Sequence, residues 1–354
     1  MPNESGDFRQ VGLRRPLANL LTAGLVEDVS IFSLQWRQRE GGDAELHRQD
    51  LIARVRDFQP NLILMQHMGS TGLTSGHLKA MRRSCDFELI YHEADPYSRY
   101  LHPLPRAAAA VGRAADVVFT VGASTFAGNF ARRGVRDVRW EPSPFDPERF
   151  HHQSLTSRQV PLHDVVLIAN RNRPRLRGLP NWRDRIKFVQ YLQDRFVGRL
   201  AVYGNGWEGP GAMGPVDFSR QDEAIRSGWV SANWDHFAEE ARYFSNRLPI
   251  SLAAGSVHAT THHDGYDELF EPPTRQFLLT SRSHEGLADA IEEHLGLTSP
   301  EQRFAAGLEA QKFAHARFRQ DEQLVRFLNY REERVVPMRA TNSWDIEAEP
   351  LHET

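Results

Sequence analysis

The sequence has 354 residues, enough for two domains of ordinary size. Apolar residues make up 40% and charged residues 25%, a balance that is typical of globular proteins and excludes a disordered or fibrous chain. Lys and Arg number 43 against 46 Asp and Glu, so the net charge is −3. This balance excludes the overall basic field of a nucleic-acid-binding protein, and we expect no nucleic-acid partner.

Cys85 is the single cysteine, so no internal disulfide can form and no oxidising compartment is indicated. The first seven residues contain no apolar signal core. The sequence also lacks a run of about 18 apolar residues, the length that a membrane-spanning helix needs. We therefore expect a cytoplasmic protein without a membrane span.

The first half of the sequence alternates helical and strand patterns. In chain order, the predicted elements are a helix at 17–25, a strand at 29–34, a helix at 51–58, a strand at 61–65, a helix around 78–81, and strands at 87–91 and 117–121. Strands that alternate with helices indicate βαβ units and a parallel sheet. Such a domain should begin with a buried strand, so the first strand is either missing or poorly replaced by the residues from Val11 onward.

A proline-dense stretch at 141–147 then interrupts the alternation, because it cannot form regular structure. We place the domain boundary there. An N-terminal α/β domain is predicted for residues 1–145 and a C-terminal α/β domain for residues 146–335. A closing helix at 309–330 is expected to return to the N-terminal domain, and residues 336–354 are expected to form a polar tail.

The alternation restarts after this stretch. The predicted elements are a strand at 165–169, a helix at 186–194, a strand at 199–203, a helix at 235–244, an apolar segment at 248–255, a strand at 256–260 and a helix at 287–295. The predicted fold class is therefore α/β, with two doubly wound, Rossmann-like domains that face a cleft.

Candidate catalytic residues follow the strand at 87–91. In open α/β sheets, ligands bind beyond the carboxyl ends of the strands. His92, Glu93 and Asp95 lie at such an end, and the imidazole could be oriented by a carboxylate. His67 follows the strand at 61–65, but taken singly a histidine is more often structural than catalytic. We therefore choose His92, Glu93 and Asp95 as the candidate catalytic group.

Three loops of the second domain indicate a diphosphate site. An arginine-rich loop that includes Asn170, Arg171 and Arg173, the turn 204–206 and the loop 263–266 each follow a predicted strand. Small residues let a backbone approach a phosphate, and a helix start offers free N–H groups. Ordinary turns and a solvated basic loop are the alternative, which we favour for the Asn-Gly turn 204–206 alone. For the three loops together we favour ligand binding.

Other chemistry has weaker support. His262, His263 and Asp264 are adjacent and lack a suitably spaced Cys or HxxxH partner, so we expect no metal site. The GxSxG, P-loop and GxGxxG motifs are absent, which makes common hydrolases, nucleoside triphosphatases and dinucleotide dehydrogenases poor interpretations. No cofactor is expected.

The stretch 246–260, Asn-Arg-Leu-Pro-Ile-Ser-Leu-Ala-Ala-Gly-Ser-Val-His-Ala-Thr, resembles the donor-site segment of GT-B-fold glycosyltransferases, particularly the CgeB-like spore-coat family. The segments 115–120, 130–135, 140–150, 203–207 and 315–328 are similar to further parts of that family. The resemblance covers residues 61–330, and its motifs are specific mainly through their order and spacing. It implies transfer of a sugar from a nucleotide-sugar donor to an acceptor that the sequence does not identify.

The resemblance also implies roles for individual residues. In retaining relatives a His at the place of His92 contacts the donor sugar, and basic residues at the place of Arg171 or Arg173 hold the diphosphate. In the transfer that we expect, Arg247 would help to stabilise the diphosphate charge, and an acceptor base, if one is needed, would be Asp95 or Glu93. The implied donor-binding residues are Asn170, Arg171, Arg173, Gly204, Asn205, Gly206, Asn246, Arg247, His263, Asp264, Gly265 and Tyr266.

Two positions depart from the family pattern. Ile250 stands where the family usually carries a Glu that binds the ribose hydroxyls, and Arg242 stands where many relatives carry a second Glu. An isoleucine side chain cannot accept a hydrogen bond. A nucleotide-sugar epimerase or phosphorylase on the same fold, and a non-catalytic nucleotide-sugar-binding protein, therefore remain as alternatives.

Overall fold

The computed structural model describes residues 1–2, 10–100, 102–150, 160–172 and 179–332. The polar tail predicted at 336–354 lies outside these residues. Within them, the chain forms two separate sheets, and every strand pair in both sheets is parallel.

The first domain is built on a four-stranded sheet in the order β1-β2-β3-β4. Its strands are β1 (Leu62–Gln66), β2 (Glu88–Glu93), β3 (Val117–Thr120) and β4 (Val138–Trp140). Its helices are α1 (Val11–Thr22), α2 (Leu34–Glu40), α3 (Ala44–Phe58), α4 (Ser75–Ser84), α5 (Arg106–Ala114) and α6 (Thr125–Ala131). Helix α3 begins where the Asp43 side chain accepts a hydrogen bond from Glu45 N, which satisfies a free donor of the first turn.

The second domain is built on a six-stranded sheet in the order β10-β9-β8-β5-β6-β7. Its strands are β5 (His163–Ile168), β6 (Leu200–Tyr203), β7 (Ala212–Gly214), β8 (Gly228–Ala232), β9 (Val257–Thr261) and β10 (Leu278–Ser281). Its helices are α7 (Trp182–Arg195), α8 (Gln221–Arg226), α9 (Arg247–Ala253), α10 (Tyr266–Leu269), α11 (His284–Leu297) and α12 (Pro300–Arg317). The strand order reverses between β5 and β8, so the topological switch point lies there.

The predicted fold class is confirmed. Each sheet has its own apolar core, one that includes Leu89 and Val118 and another that includes Val165 and Val230. The two domains face each other across a cleft. The exact boundary at residues 145 and 146 stays a prediction.

The strand predicted at 29–34 is wrong, because residues 29–33 have no regular structure and Leu34 begins α2. The residues from Val11 onward form helix α1 and do not supply a first strand, so the sheet starts at β1. Beside the free edge of β1, the Met1 amino group donates to Leu64 O at 2.6 Å and Gln66 N donates to Met1 O at 3.1 Å. Met1 thus occupies part of the β1 edge that a strand at 29–34 would need.

The helix predicted at 235–244 is also wrong, because this segment consists of turns and bends. One side chain of this segment, that of Glu240, binds to the first domain. The buried Glu240 carboxylate accepts hydrogen bonds from Ser124 N at 2.8 Å, Thr125 N at 2.9 Å and Phe126 N at 3.2 Å, all at the start of α6 in the first domain. These contacts override the local helical preference.

The closing helix predicted at 309–330 is interrupted. Helix α12 ends at Arg317 and α13 (Gln320–Leu328) follows. The break arises because Phe145 pairs with the chain here: Phe145 N donates to Phe318 O at 2.9 Å, and Gln320 N donates to Phe145 O at 3.0 Å. Beyond the break, Phe327 packs against Phe119 of the first sheet.

Candidate active site in the cleft between the domains

A cleft of about 910 Å³ lies between the carboxyl ends of the two sheets. The first domain contributes residues that end or follow β1 and β2, including His67, His92 and Asp95. The second domain contributes residues that follow β5 and β6, including Asn170 and Gly204. The strands β5 and β8 flank the switch point, which is where ligands of open α/β sheets bind.

His92 is a neutral, unpartnered imidazole at this cleft. It lies in β2 with 2% of its surface exposed, and neither ring nitrogen has a hydrogen-bond partner among the described residues. Burial, with a smaller contribution from the positive charge of His67, lowers the pKa of His92 to about 3. A buried polar group without a partner is unfavourable, so a ligand that hydrogen-bonds His92 would recover this free energy.

His67 forms a charged cluster with two carboxylates. Its Nδ1 lies 3.3 Å from Glu93 Oε1 and 3.5 Å from Asp95 Oδ2. Burial by itself lowers the pKa of His67, but Asp95 and Glu93 outweigh this effect and raise it to about 10. His67 is therefore an imidazolium at neutral pH. His67 was not among the residues chosen from the sequence. Its position directly after a predicted strand, like that of His92, was the feature that could have identified it.

The two carboxylates of this cluster differ in access. Glu93 is fully buried and does not line the cleft. The Tyr91 hydroxyl donates to Glu93 Oε2, and Asp95 N donates to Glu93 Oε1 at 3.1 Å. The side chain of Asp95 is 60% exposed and lines the cleft. Of the two candidate bases, only Asp95 is in a position to contact a ligand.

The donor atoms of His67, Glu93 and Asp95 lie within 4.8 Å of one another, a spacing that could hold a metal ion. The proton on His67 already supplies a positive charge between the carboxylates, however. A metal ion would have to displace that proton and the hydrogen bonds that both Glu93 oxygens accept. The cluster thus favours an imidazolium at ion-pair distance from the two carboxylates over a metal.

The second-domain wall of the cleft is basic. Arg185 is 4% exposed and its Nε donates to Trp234 O at 2.7 Å, while Arg247 Nε donates to Ile168 O at 2.7 Å. Neither guanidinium has a carboxylate within ion-pair distance among the described residues, and Asp146, at the domain boundary, is the one Asp or Glu that the described residues from 146 onward contribute to the cleft lining. Burial and repulsion by Arg247 lower the pKa of Arg185 to about 9, and burial lowers the pKa of Arg247.

Arg185 was missed by the sequence prediction because it lies in helix α7 and not in a loop after a strand. It shares the buried face of that helix with Phe188, Val189 and Leu192. The helical spacing between this arginine and the three apolar residues could have indicated that Arg185 lies on the buried face of the helix.

Asp235 lies beneath the cleft in a buried hydrogen-bond network. Asn233 Nδ2 donates to its Oδ1 at 2.7 Å, and His263 Nε2 lies 3.2 Å from its Oδ2. Although burial opposes ionisation, His263 and the nearby Arg185 hold the pKa of this carboxyl well below its usual range. The network fixes the segment that carries His263 and explains why this histidine does not reach the cleft.

The structure divides the predicted donor-binding residues into two groups. Asn170, Gly204, Asn205, Asn246 and Arg247 line the cleft. The remaining described residues do not line it; these are Arg171, Gly206, His263, Asp264, Gly265 and Tyr266. Arg173 lies outside the described residues.

The residues that do not line the cleft have partners elsewhere. Arg171 Nη1 donates to Gly206 O at 3.4 Å. Asp264 pairs with Arg282 at 2.6 Å on the surface, and the buried Tyr266 hydroxyl donates to Tyr243 O at 2.9 Å. Gly265 is the left-handed residue that precedes the short helix α10. The loop after β9 is thus packed against its own domain.

Gly204 brings two strand ends together. Its φ is +136°, and a Cβ at this position would lie 2.1 Å from Ala169 O, so only glycine fits. The next residue, Asn205, donates its backbone N–H to Asn170 Oδ1 at 2.9 Å. This contact fixes the backbone at the carboxyl ends of β5 and β6, where a phosphate would approach.

The departures at Ile250 and Arg242 are visible in the structure. Ile250 lines the cleft, beside the hydroxyls of Ser231 and Ser251, which lie 2.8 Å apart. Arg242 forms an ion pair with Glu268 and does not line the cleft. Neither position supplies a carboxylate to the second-domain wall.

No family model and no curated protein matches the sequence. Solved structures with a similar fold are known. HepE from Anabaena, determined with UDP and glucose, has a TM-score of 0.51 at 15% identity, over 82% of this chain and 83% of that one. The UDP-forming α,α-trehalose-phosphate synthase from Burkholderia xenovorans has a TM-score of 0.52 at 11% identity, over 81% and 78%. A glycosyltransferase from Rickettsia africae has a TM-score of 0.51 at 9% identity, over 81% of each chain.

These structural neighbours are GT-B glycosyltransferases, and the chain shares their fold of two Rossmann-like domains around a cleft. At such low identities the likeness concerns the fold. The narrower resemblance to the CgeB-like family stays a prediction. Among the described residues, no helix combines the length and the apolar character needed to cross a membrane.

Proposed function

We propose that this protein is a metal-independent glycosyltransferase that moves a sugar from a nucleotide-sugar donor to an acceptor hydroxyl. The observation that carries the proposal is the pair of arginines at the switch-point cleft, the buried Arg185 and the half-buried Arg247. Neither has a carboxylate partner among the described residues, so both are available to an anionic ligand. A nucleoside diphosphate is an anion of suitable size and charge, and guanidinium groups bind phosphate oxygens in a forked geometry.

The arginines would act mainly in the transition state. As the bond between the anomeric carbon and the diphosphate breaks, negative charge develops on the leaving oxygen. Fixed cations in a site that excludes water stabilise this charge without reorganisation. Arg185 and Arg247, with the backbone N–H groups near Gly204, would therefore replace the divalent cation that other enzymes use for diphosphate release.

On the opposite wall, His92 would bind the donor sugar. Its ring nitrogens are unpartnered, and the low pKa keeps the ring neutral, so it can donate one hydrogen bond and accept another. A neutral hydrogen-bonding group suits a sugar hydroxyl. The nucleotide would be held by the second domain.

Calorimetry and thermal-shift measurements with UDP, GDP, TDP and their glucose or mannose conjugates test the nucleotide site. A nucleotide at 100 times its dissociation constant should stabilise the protein by about 2.7 kcal/mol. Arg195→Ala is a matched control, since Arg195 lies on the same helix as Arg185 but pairs with Asp289 and Glu292 outside the cleft. Absence of stabilisation by every nucleotide would contradict the proposal.

One observation favours a second candidate function. The described second-domain wall lacks a carboxylate for the ribose, which fits a non-catalytic nucleotide-sugar-binding protein. Release of nucleoside diphosphate from the donor separates the two functions, because a binding protein would retain the donor intact. Formation of an epimerised nucleotide-sugar would instead favour an epimerase.

A further inference from the structure

Gln66 and His92 are neighbours at the carboxyl edge of the first sheet. They lie at the ends of β1 and β2 and are paired in register, and adjacent parallel strands lie about 4.8 Å apart. Two residues earlier, Leu64 and Ile90 pack in the apolar cluster that includes Phe327 of α13. Because side chains alternate along a strand, Gln66 and His92 emerge on that same face. Both residues line the cleft.

The Gln66 side chain is buried, and its oxygen has no partner. The residue is 3% exposed, and Oε1 lacks a hydrogen-bond partner among the described residues. Its backbone is held separately, because Gln66 N donates to Met1 O at 3.1 Å. Within the same described part of the chain, both ring nitrogens of His92 are unpartnered as well. Unsatisfied buried polar groups are unfavourable, so two of them side by side at a cleft indicate a ligand that binds both.

The chemistry of this pair favours hydroxyl groups. The Gln66 side chain is uncharged and its Oε1 accepts hydrogen bonds, while burial lowers the pKa of His92 and leaves one ring nitrogen that donates and one that accepts. The pair offers no positive charge to a phosphate or carboxylate and no negative charge to a cation. A hydroxyl both donates and accepts, so two hydroxyls on neighbouring carbon atoms satisfy the unpartnered atoms of both side chains.

On the basis of the proposed glycosyl transfer, we propose that Gln66 determines sugar specificity, and that Gln66 and His92 bind two neighbouring hydroxyl groups of the donor sugar. Gln66 Oε1 accepts a hydrogen bond from one hydroxyl, and His92 binds the next. A site that hydrogen-bonds a hydroxyl discriminates against the analogue that lacks it, because the buried group is then left unpaired. Gln66 thus selects against donor sugars that are deoxygenated at one particular carbon.

The melting temperature of the ligand-free protein distinguishes this role from a structural one. Gln66→Leu removes an unpartnered polar atom and keeps a side chain of similar size, so its melting temperature should equal or exceed that of the wild type. Gln323→Leu is the matched control. Gln323 is buried as well, but its Nε2 donates to Pro142 O at 2.9 Å and to Glu141 Oε1 at 3.3 Å, so its loss should lower the melting temperature.

Calorimetry with deoxygenated donors tests the hydroxyl contact. The probe is the UDP-, GDP- or TDP-sugar conjugate that binds most tightly to the wild type, together with its singly deoxygenated analogues, one for each sugar hydroxyl. Removal of one particular hydroxyl should weaken binding to the wild type by about 10- to 100-fold, but binding to Gln66→Leu by less than about threefold. Loss of any other hydroxyl should weaken binding equally in the two proteins. The bare nucleoside diphosphate should bind to both with affinities within about twofold of each other.

Equal losses in the two proteins for every hydroxyl would overturn the inference, and so would a melting temperature of Gln66→Leu as low as that of Gln323→Leu. Equal affinity of the wild type for the bare diphosphate and for every sugar conjugate would also overturn it, and would leave the nucleotide site intact. Failure to bind any nucleotide would remove the proposed function and this inference with it.

Discussion

The two walls of the cleft differ in how their charged side chains are paired. On the first-domain wall, the His67 ring lies beside the Glu93 and Asp95 carboxylates, so the charged groups there have partners within their own cluster. On the second-domain wall, Arg185 and Arg247 donate to backbone carbonyl oxygens and form no ion pair with a described carboxylate, although the charge of the buried Asp235 acts on both. Guanidinium groups without a direct ion-pair partner are typical of a site that binds an anionic ligand.

This difference separates two properties that can be measured independently. Changes on the second-domain wall should act on nucleotide affinity, because that wall supplies the charge for the diphosphate. Changes on the first-domain wall should act on turnover or on pH dependence and leave nucleotide affinity nearly unchanged.

The largest effect is expected for the double variant Arg185→Ala, Arg247→Ala. Loss of one charged hydrogen bond costs about 1.5–3 kcal/mol, so the single variants should weaken nucleoside diphosphate binding by about ten- to a hundred-fold. The double variant should lose about 10²- to 10⁴-fold if the contacts are independent. Calorimetry gives the affinities, with Arg195→Ala as the control. Unchanged affinity would show that the diphosphate does not bind to this wall.

His92→Ala should lower kcat by about 10- to 100-fold, since a hydrogen bond to the reacting sugar is lost. Binding of bare UDP should stay nearly unchanged, because we propose that the nucleotide binds to the other wall. Melting temperature, UDP affinity and turnover are measured on one preparation. A well-folded variant with full turnover would show that His92 only packs against Phe327.

Gly204→Ala should destabilise the second-domain wall by about 1–3 kcal/mol, because the new Cβ would collide with Ala169 O and the backbone would be strained. Chemical denaturation measures the change, and Gly134→Ala is the control, since Gly134 also has positive φ but an open environment. Equal losses in the two variants would mean that backbone conformation alone, without the close contact, sets the requirement for glycine.

The last expected effect concerns stability against pH on the first-domain wall. The pKa of His67 is about 10 in the folded protein and near its ordinary value of 6.5 in the unfolded chain. Its contribution to stability is therefore complete below pH 6.5 and is lost as the pH rises from 6.5 to 10. The melting temperature should fall across this range by more in the wild type than in His67→Gln. Parallel curves for the two proteins would contradict the charged cluster.

Much of the fold follows from the sequence, because apolar strands buried on both faces have a clear pattern. β1, β2, β5 and β6 were all predicted close to their bounds. β8 was not predicted, and it is one of the two strands at the switch point. Without it, the loop after β9 looked as favourable for a ligand as the loop after β5. That loop lies one strand beyond the switch point, which explains why residues 263–266 are packed away from the cleft.

The use of strand ends as a guide also explains why only part of the site was predicted. Following the strand ends identified His92, Asp95 and Asn170, but this rule cannot find an arginine that reaches the cleft from a helix, as Arg185 does. It also cannot tell Asp95 from Glu93, because which of two neighbouring carboxylates is exposed depends on the direction of the chain after β2.

The contact of Glu240 with α6 restricts how the cleft can widen. Its carboxylate is buried and accepts three backbone N–H groups at the positive end of that helix. Pulling the domains apart at this edge would break all three bonds at once, whereas a rotation about it would keep them. If the two domains rotate relative to each other, the Glu240 contact is therefore the expected pivot.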